Sequence, residues 1–179
     1  MKKIASGSAR VVFKIDDEKC LKVAKNQKGI AQNTEEARSY AKETGIGAEV
    51  YNFADDYEWI EMELARKAKP SDFKRIVGYD FKFVCEFINW TYSHYSVGYR
   101  RYPNLFPFNK QNEELFEELI EEYGFFHSLY YYMADTTLNS IGDLQRVSSY
   151  GIVNRNGEEE IVLIDYGLSD DVFDNYYRR

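Results

Sequence analysis

Histidine and cysteine, the residues that build most small metal and thiol sites, are nearly missing from this chain. Only His94, His127, Cys20 and Cys85 occur among 179 residues. None has metal-ligand spacing, so no zinc site is expected, and two thiols are too few for the disulfide framework of a secreted mini-protein. Both cysteines lie in apolar contexts and read as buried thiols of a reducing compartment. Only three prolines and no low-complexity tract are present, which argues against long disordered regions. No stretch approaches the roughly 18 consecutive apolar residues of a membrane span. Residues 1–7, Met-Lys-Lys-Ile-Ala-Ser-Gly, do not develop the apolar core of a signal peptide, so a cytoplasmic location is expected. A basic surplus is also missing. The net charge of −7 excludes the electrostatic footprint of a sequence-independent nucleic-acid binder.

Aromatic residues are abundant, with 16 Tyr and 12 Phe concentrated in the second half, where core packing is their expected use. The length suits one domain or two small lobes sharing a cleft, and no internal repeat is detectable. From Ile4 to Ala24 the pattern is strand, glycine-containing turn, strand, acidic turn, strand. Gly7, between Ser6, Ser8 and Ala9, would let backbone N–H groups approach an anion. A loop around Gly29 is expected next. A helix follows from Thr34 to Lys42 or Glu43, capped by Asn33 or Thr34 and ended by Gly45 and Gly47. Residues 48–53 and 57–64 read as a strand hairpin, the second strand alternating Trp59, Glu61 and Glu63 with Ile60, Met62 and Leu64.

Ala65 to Pro70 reads as a basic connector, and Ser71 and Asp72 as caps of a short helix. A longer helix is expected from Asp80 to Tyr95 and another, capped by Asn112, from Glu113 to about Ala134. Between them runs an aromatic link that includes Tyr99-Arg100-Arg101-Tyr102, either an interface cluster or a buried loop. The most informative stretch is Gly142 to Leu168. Asp143 and Asp165 are separated by a turn, Asn154 to Gly157, and by the apolar run Ile161 to Ile164. Two carboxylates joined by a hairpin suggest a site for a hard cation.

Taken in order, these pieces resemble the protein-kinase superfamily over nearly the whole chain. Gly7 to Phe13 is similar to the second half of the kinase glycine-rich loop, with Gly7, Ser8 and Arg10 near phosphate and Val12 on the adenine. Lys22 stands where the family holds the α- and β-phosphates, with Lys25 its competitor should the strand register slip. Glu36, or its neighbour Glu35, resembles the lysine's ion-pair partner. Met62 occupies the gatekeeper position, and the backbone of Glu63 to Ala65 that of the adenine-facing hinge. Asp143 corresponds to the catalytic aspartate, and Asp165-Tyr166-Gly167 to the metal-binding DFG motif, with Ser148 in place of the asparagine that holds a second metal. The phrasing around Lys22 and Asp165 is also similar to that of small kinase-like proteins encoded by bacteriophages, which would place the chain in a host cytoplasm.

The resemblance implies an α+β, two-lobe fold: an antiparallel five-stranded lobe with one helix (1–64), a hinge (65–70) and a reduced, mainly helical lobe (71–179). ATP and Mg²⁺ are the implied cofactors. The chain departs from the family at Ala5 and Arg10, where two glycines are usual. Arg10 either contacts phosphate or blocks the close approach glycine permits. Ile141 and Gly142 replace the family's His and Arg. Twelve residues follow Gly167, so no activation segment or peptide-substrate platform is expected, and the acidic tail from Ser169 to Tyr177 is expected to pack as a closing helix. Two functions stay open: a minimal phosphotransferase to a hydroxyl acceptor, or a pseudokinase-like module that engages a protein substrate or host partner. Nucleotidyl transfer on the same scaffold is a third.

Overall fold

The computed structural model describes residues 1–39, 41–95, 104, 106–135, 141–167 and 169–176. Five antiparallel strands form the first sheet: β1 (Lys2–Ser6), β2 (Arg10–Lys14), β3 (Lys19–Ala24), β4 (Val50–Phe53) and β5 (Trp59–Glu63). Their order is β1-β2-β3-β5-β4, with Lys22 opposite Val12 on one side and Ile60 on the other. The expected alternation in β5 holds. Ile60 and Met62 are buried while Trp59, Glu61 and Glu63 are partly exposed, and burying each apolar side chain contributes about 1.5–3 kcal/mol. Helix α1 (Gln27–Arg38) packs against β3, β4 and β5.

Helix α1 begins earlier than its sequence suggests. Its N-cap is Asn26, whose side chain accepts the Gly29 N–H, and it ends at Arg38 rather than near Lys42. Gly29 lies inside its first turn because the helix approaches the strands too closely for a side chain. A Cβ there would sit 2.3 Å from the Ala9 carbonyl oxygen. Asn33, expected at a cap, is fully buried mid-helix and donates to the Tyr57 carbonyl at 2.9 Å. Tertiary partners explain the polar, glycine-containing segment that resembles a loop.

The remainder is mainly helical: α2 (Pro70–Ile76), α3 (Phe81–Tyr95), α4 (Glu113–Glu121), α5 (Phe125–Asp135) and α6 (Asp170–Tyr176). The single helix expected from Glu113 to Ala134 is two. The chain breaks at Glu122–Gly124, and the His127 Nδ1–H donates across the break to the Ile120 carbonyl at 2.7 Å. Asn112 belongs to a short 3₁₀ turn and directs its side-chain amide to Glu86 instead of capping α4. Rings of Phe73, Phe87, Phe116, Phe126 and Tyr150 build the core between these helices, the packing role expected of the aromatic residues. The cluster Tyr99-Arg100-Arg101-Tyr102 lies outside the described residues, as do Leu168 and Tyr177. Phe106, from the same link, packs on Tyr92 of α3.

A second antiparallel sheet holds β6 (Arg66–Lys67), β7 (Tyr150–Arg155) and β8 (Glu158–Leu163). The expected connector is thus partly a strand, paired at Arg66↔Ile152 and Lys67↔Gly151. Asn156 and Gly157 both have left-handed backbones, φ 54° and 87°, which close the β7–β8 hairpin with the primed turn its twist favours. Helix α6 packs against α1, and its Val172 is buried. The chain is therefore a mixed α and β structure with antiparallel sheets and, among the described residues, six α-helices. No helix among them is long and apolar enough to cross a membrane.

Candidate functional site

The two sheets enclose a cavity of about 560 Å³, within the few-hundred-Å³ range typical of small-molecule sites. Gly7, Ser8, Arg10 and Val12 line it from the β1–β2 turn and β2, and Lys22 from β3. Met62, Glu63 and Ala65 line it from β5 and the residues beyond, and Ser148 and Asp165 from the two ends of the β7–β8 hairpin. Glu36 and Asp143 are not on the lining. The fold therefore gathers into one space ten residues spread from position 7 to position 165.

The turn over this cavity is held from outside. Gly7 N–H donates to the Arg10 carbonyl at 2.9 Å, and Lys25 Nζ donates to Ser6 Oγ at 2.8 Å and to the Gly7 carbonyl at 2.5 Å. Lys25, the residue expected to compete with Lys22 if the strand register slipped, clamps the turn while Lys22 faces inward. Packing does not demand glycine at position 7: its φ is not positive, and an added Cβ would meet only the Arg10 carbonyl, 4.0 Å away. What its missing side chain leaves open is space beside the cavity.

Below the turn lies a cluster of two cations and two carboxylates. Lys22 Nζ donates to Glu36 Oε2 at 2.6 Å and to the Ile164 carbonyl at 2.7 Å. Arg10 Nη2 donates to Glu36 Oε1 at 2.9 Å and to Asp165 Oδ1 at 2.7 Å, and Nη1 reaches Asn33 Oδ1 at 3.3 Å. The choice between Glu35 and Glu36 as partner of Lys22 is decided by helix phase. Glu36 points into the sheet and is buried, whereas Glu35 is partly exposed. Burial alone would push the Glu36 carboxyl up, but Arg10 and Lys22 more than offset that, and its pKa lies below the ordinary range. Arg10 is the residue whose position the sequence left open. Only contacts to α1 and to Asp165, 155 positions away, make it a bridge.

The backbone at the end of β5 is anchored through Glu63. Its carboxylate pairs with Arg155 at 2.7 Å and accepts the Glu49 N–H, so that side chain is committed away from any ligand. The buried Met62 closes the rear of the cavity.

Asp143 sits in the turn before β7, paired with Arg146 at 2.9 Å. Burial and, more weakly, the negative charge of Asp165 push its carboxyl up against the opposing pull of Arg146. Ser148 faces the cavity. Ser149 is buried, with its carbonyl taking the Ile164 N–H at 2.8 Å. Tyr166 packs inward and donates its hydroxyl to the Ala48 carbonyl at 2.7 Å. Gly167 is required by packing, because a Cβ would lie 2.4 Å from the Gln32 carbonyl oxygen.

A divalent ion needs anionic oxygens that are not already neutralised. Asp165 supplies one carboxylate and Ser148 a neutral hydroxyl, and no group of three His, Cys, Asp or Glu that could hold a metal occurs among the described residues. With Arg10 on Asp165 the residues do not fit a resident Mg²⁺.

No family model matches this chain, and no curated protein matches it as a relative. Among solved structures, a choline/ethanolamine kinase family protein from Mesorhizobium loti is similar at 15% identity, over 93% of this chain and 57% of that one, with a TM-score of 0.39. This chain therefore spans a little over half of that protein's length.

Proposed function

We propose that this chain binds ATP in the cavity between its two sheets and is a minimal kinase-like phosphotransferase, moving the terminal phosphoryl group to a hydroxyl acceptor. On this reading residues 1–64 form a small lobe, 65–70 a hinge, and 71–179 a reduced helical lobe. The observation that carries it is the Lys22–Glu36 pair beneath the Gly7 turn, at 2.6 Å. A buried ammonium held by a carboxylate and facing a cavity is poised for an anion, and an open glycine turn above it admits phosphate oxygens.

The residues divide the work. Val12, Met62 and the Glu63–Ala65 backbone offer an apolar slot for the base. Lys22 and Arg10 attract the phosphates, and the backbone around Gly7 and Ser8 covers them. Asp143, whose carboxyl holds its proton to higher pH than an ordinary aspartate, faces the acceptor and takes the hydroxyl proton as the acceptor oxygen bonds to the γ-phosphorus and the bond from that phosphorus to the bridging oxygen breaks, releasing ADP. The kinase resemblance implies Mg²⁺, but the donors on offer are Asp165, which is engaged by Arg10, and the neutral Ser148, so the holding of the phosphates is assigned to Lys22 and Arg10.

A thermal-shift titration with ATP tests the binding, since a ligand that binds only the folded state must raise its apparent stability. No shift at millimolar ATP would refute it. Transfer is tested with labelled ATP, where label that persists in Asp143→Ala rules out the role given to Asp143.

One observation favours a second reading, a pseudokinase-like module that holds nucleotide and engages a protein partner without chemistry. Asp165 accepts from Arg10 at 2.7 Å, and Ser148 is a poor metal ligand, so the phosphate site has cations without an evident metal cage. This reading predicts a stoichiometric partner in a pull-down from native cytoplasm and no turnover. The bacteriophage likeness, which bears on where that cytoplasm is, rests on the phrasing of the sequence alone.

A further inference from the structure

We infer that Arg10 serves as the built-in counter-cation of the phosphate site, so that the cavity takes a nucleoside triphosphate without a divalent ion. The inference rests on the nucleotide-binding reading above and extends it to the ion requirement of that site.

Three features lead to it. First, Arg10 stands at the start of β2, directly after the turn that would cover the phosphates, and its side chain is turned into the cavity rather than out to solvent. Second, its guanidinium spans Glu36 and Asp165, at 2.9 and 2.7 Å, and so sets a fixed positive charge against Asp165 Oδ1. Third, the cluster is balanced as it stands, Lys22 and Arg10 against Glu36 and Asp165. The two carboxylates differ sharply in their freedom. The Glu36 side chain is completely enclosed, whereas that of Asp165 is 61% exposed.

An arriving triphosphate competes for the two cations with these two carboxylates. Glu36 is held inside the sheet by both cations and stays. Asp165 is the partner that water can solvate once it is released, so the exchange that costs least replaces the Asp165 contact of Arg10 by a phosphate contact. A planar guanidinium suits this exchange, because it presents several N–H donors in one plane and can keep Glu36 while it grips a phosphate oxygen. Lys22 supplies the second fixed charge at the same depth, through its contacts to Glu36 and the Ile164 carbonyl. A divalent ion would have to share the Asp165 carboxylate with Arg10, and it would bring charge to a site that already has two cations.

Isothermal titration of the full chain with ATP, in EDTA and then in excess Mg²⁺, tests this. The wild type is expected to bind in EDTA within about threefold of its affinity in Mg²⁺. A charge-assisted phosphate contact contributes about tenfold or more in affinity, so Arg10→Met should lose at least that in EDTA and regain part of it when Mg²⁺ occupies the vacated Asp165. Arg10→Met also strips a counter-charge from the buried Glu36 and could unfold. Asp165→Asn is the second variant, since its exposed side chain can change without disturbing the core. It should bind ATP in EDTA several-fold more tightly than the wild type, because Arg10 is released. Binding by the wild type only in Mg²⁺, unchanged affinity of a folded Arg10→Met in EDTA, or weaker binding by Asp165→Asn in EDTA would each overturn the inference. Wild-type binding restricted to Mg²⁺ would leave the nucleotide-binding reading intact. No binding in either condition would remove both.

Discussion

Replacing Glu36 by Gln tests whether the charge cluster under the turn is as tightly built as its distances indicate. The substitution keeps the side-chain shape but removes the anion that two buried cations share, at 2.6 Å from Lys22 and 2.9 Å from Arg10. Removing one partner of a buried pair costs about 3–5 kcal/mol, because the other charge stays out of water without compensation. Here Arg10 retains Asp165, and Lys22 retains the Ile164 carbonyl. The loss should therefore fall at the lower end, about 3 kcal/mol, still a large part of a typical domain's stability. Glu35→Gln, one position away on the partly exposed face of α1, is the control and should stay within about 0.5 kcal/mol. Urea denaturation reads both, through a shift of the midpoint at constant slope. The pH dependence gives an independent check. The Glu36 carboxyl titrates below its ordinary range in the fold, so its contribution is full above the unfolded carboxyl pKa and disappears as the pH falls through the folded value. Glu36→Gln should lack that acid-side loss. Equal urea midpoints for the two variants would refute the reasoning.

Gly29→Ala should cost about 2–3 kcal/mol in thermal or urea unfolding, since its Cβ would meet the Ala9 carbonyl oxygen at 2.3 Å and both groups are backbone-anchored. Gly7→Ala should change stability by no more than about 0.5 kcal/mol, because nothing lies within 3.4 Å of the new Cβ. It should nevertheless diminish the ATP-induced thermal shift, and an undiminished shift would mean that the turn does not cover the phosphates. If transfer is observed, the acid limb of its pH–rate profile should lie higher than an ordinary aspartate would place it, because burial raises the Asp143 carboxyl. Arg146→Gln should move that limb up, by removing a charge that favours the Asp143 carboxylate, and Asp165→Asn should move it down.

Local chemistry was enough for much of the frame. Strand β5 is legible because Ile60 and Met62 alternate with polar neighbours, and the β7–β8 turn because Asn156 and Gly157 tolerate left-handed backbone. Both patterns depend on residues within a few positions of each other. Sequence expectation and structure part where distant contacts overrule local preference. Gly29 and Asn33 look like loop and cap residues, yet one admits the Ala9 carbonyl and the other binds Tyr57 and Arg10, so α1 starts at Gln27. Glu122 follows the helical period of Leu115 and Leu119, yet the chain turns over residues 122–124 and α5 packs against α4.

For the site, the sequence by itself determined the inventory: a glycine turn, a strand lysine, a helix glutamate and two aspartates, in an order that suggests a phosphate site. The tertiary structure decided who holds whom. Helix phase and the close approach of α1 to β3 give Lys22 to Glu36 rather than Glu35, and the meeting of β2 with the end of β8 gives Asp165 to Arg10. Charge pairing acts over a few ångströms of space, and those ångströms exist only after residues 10, 22, 36 and 165 have been folded onto one another.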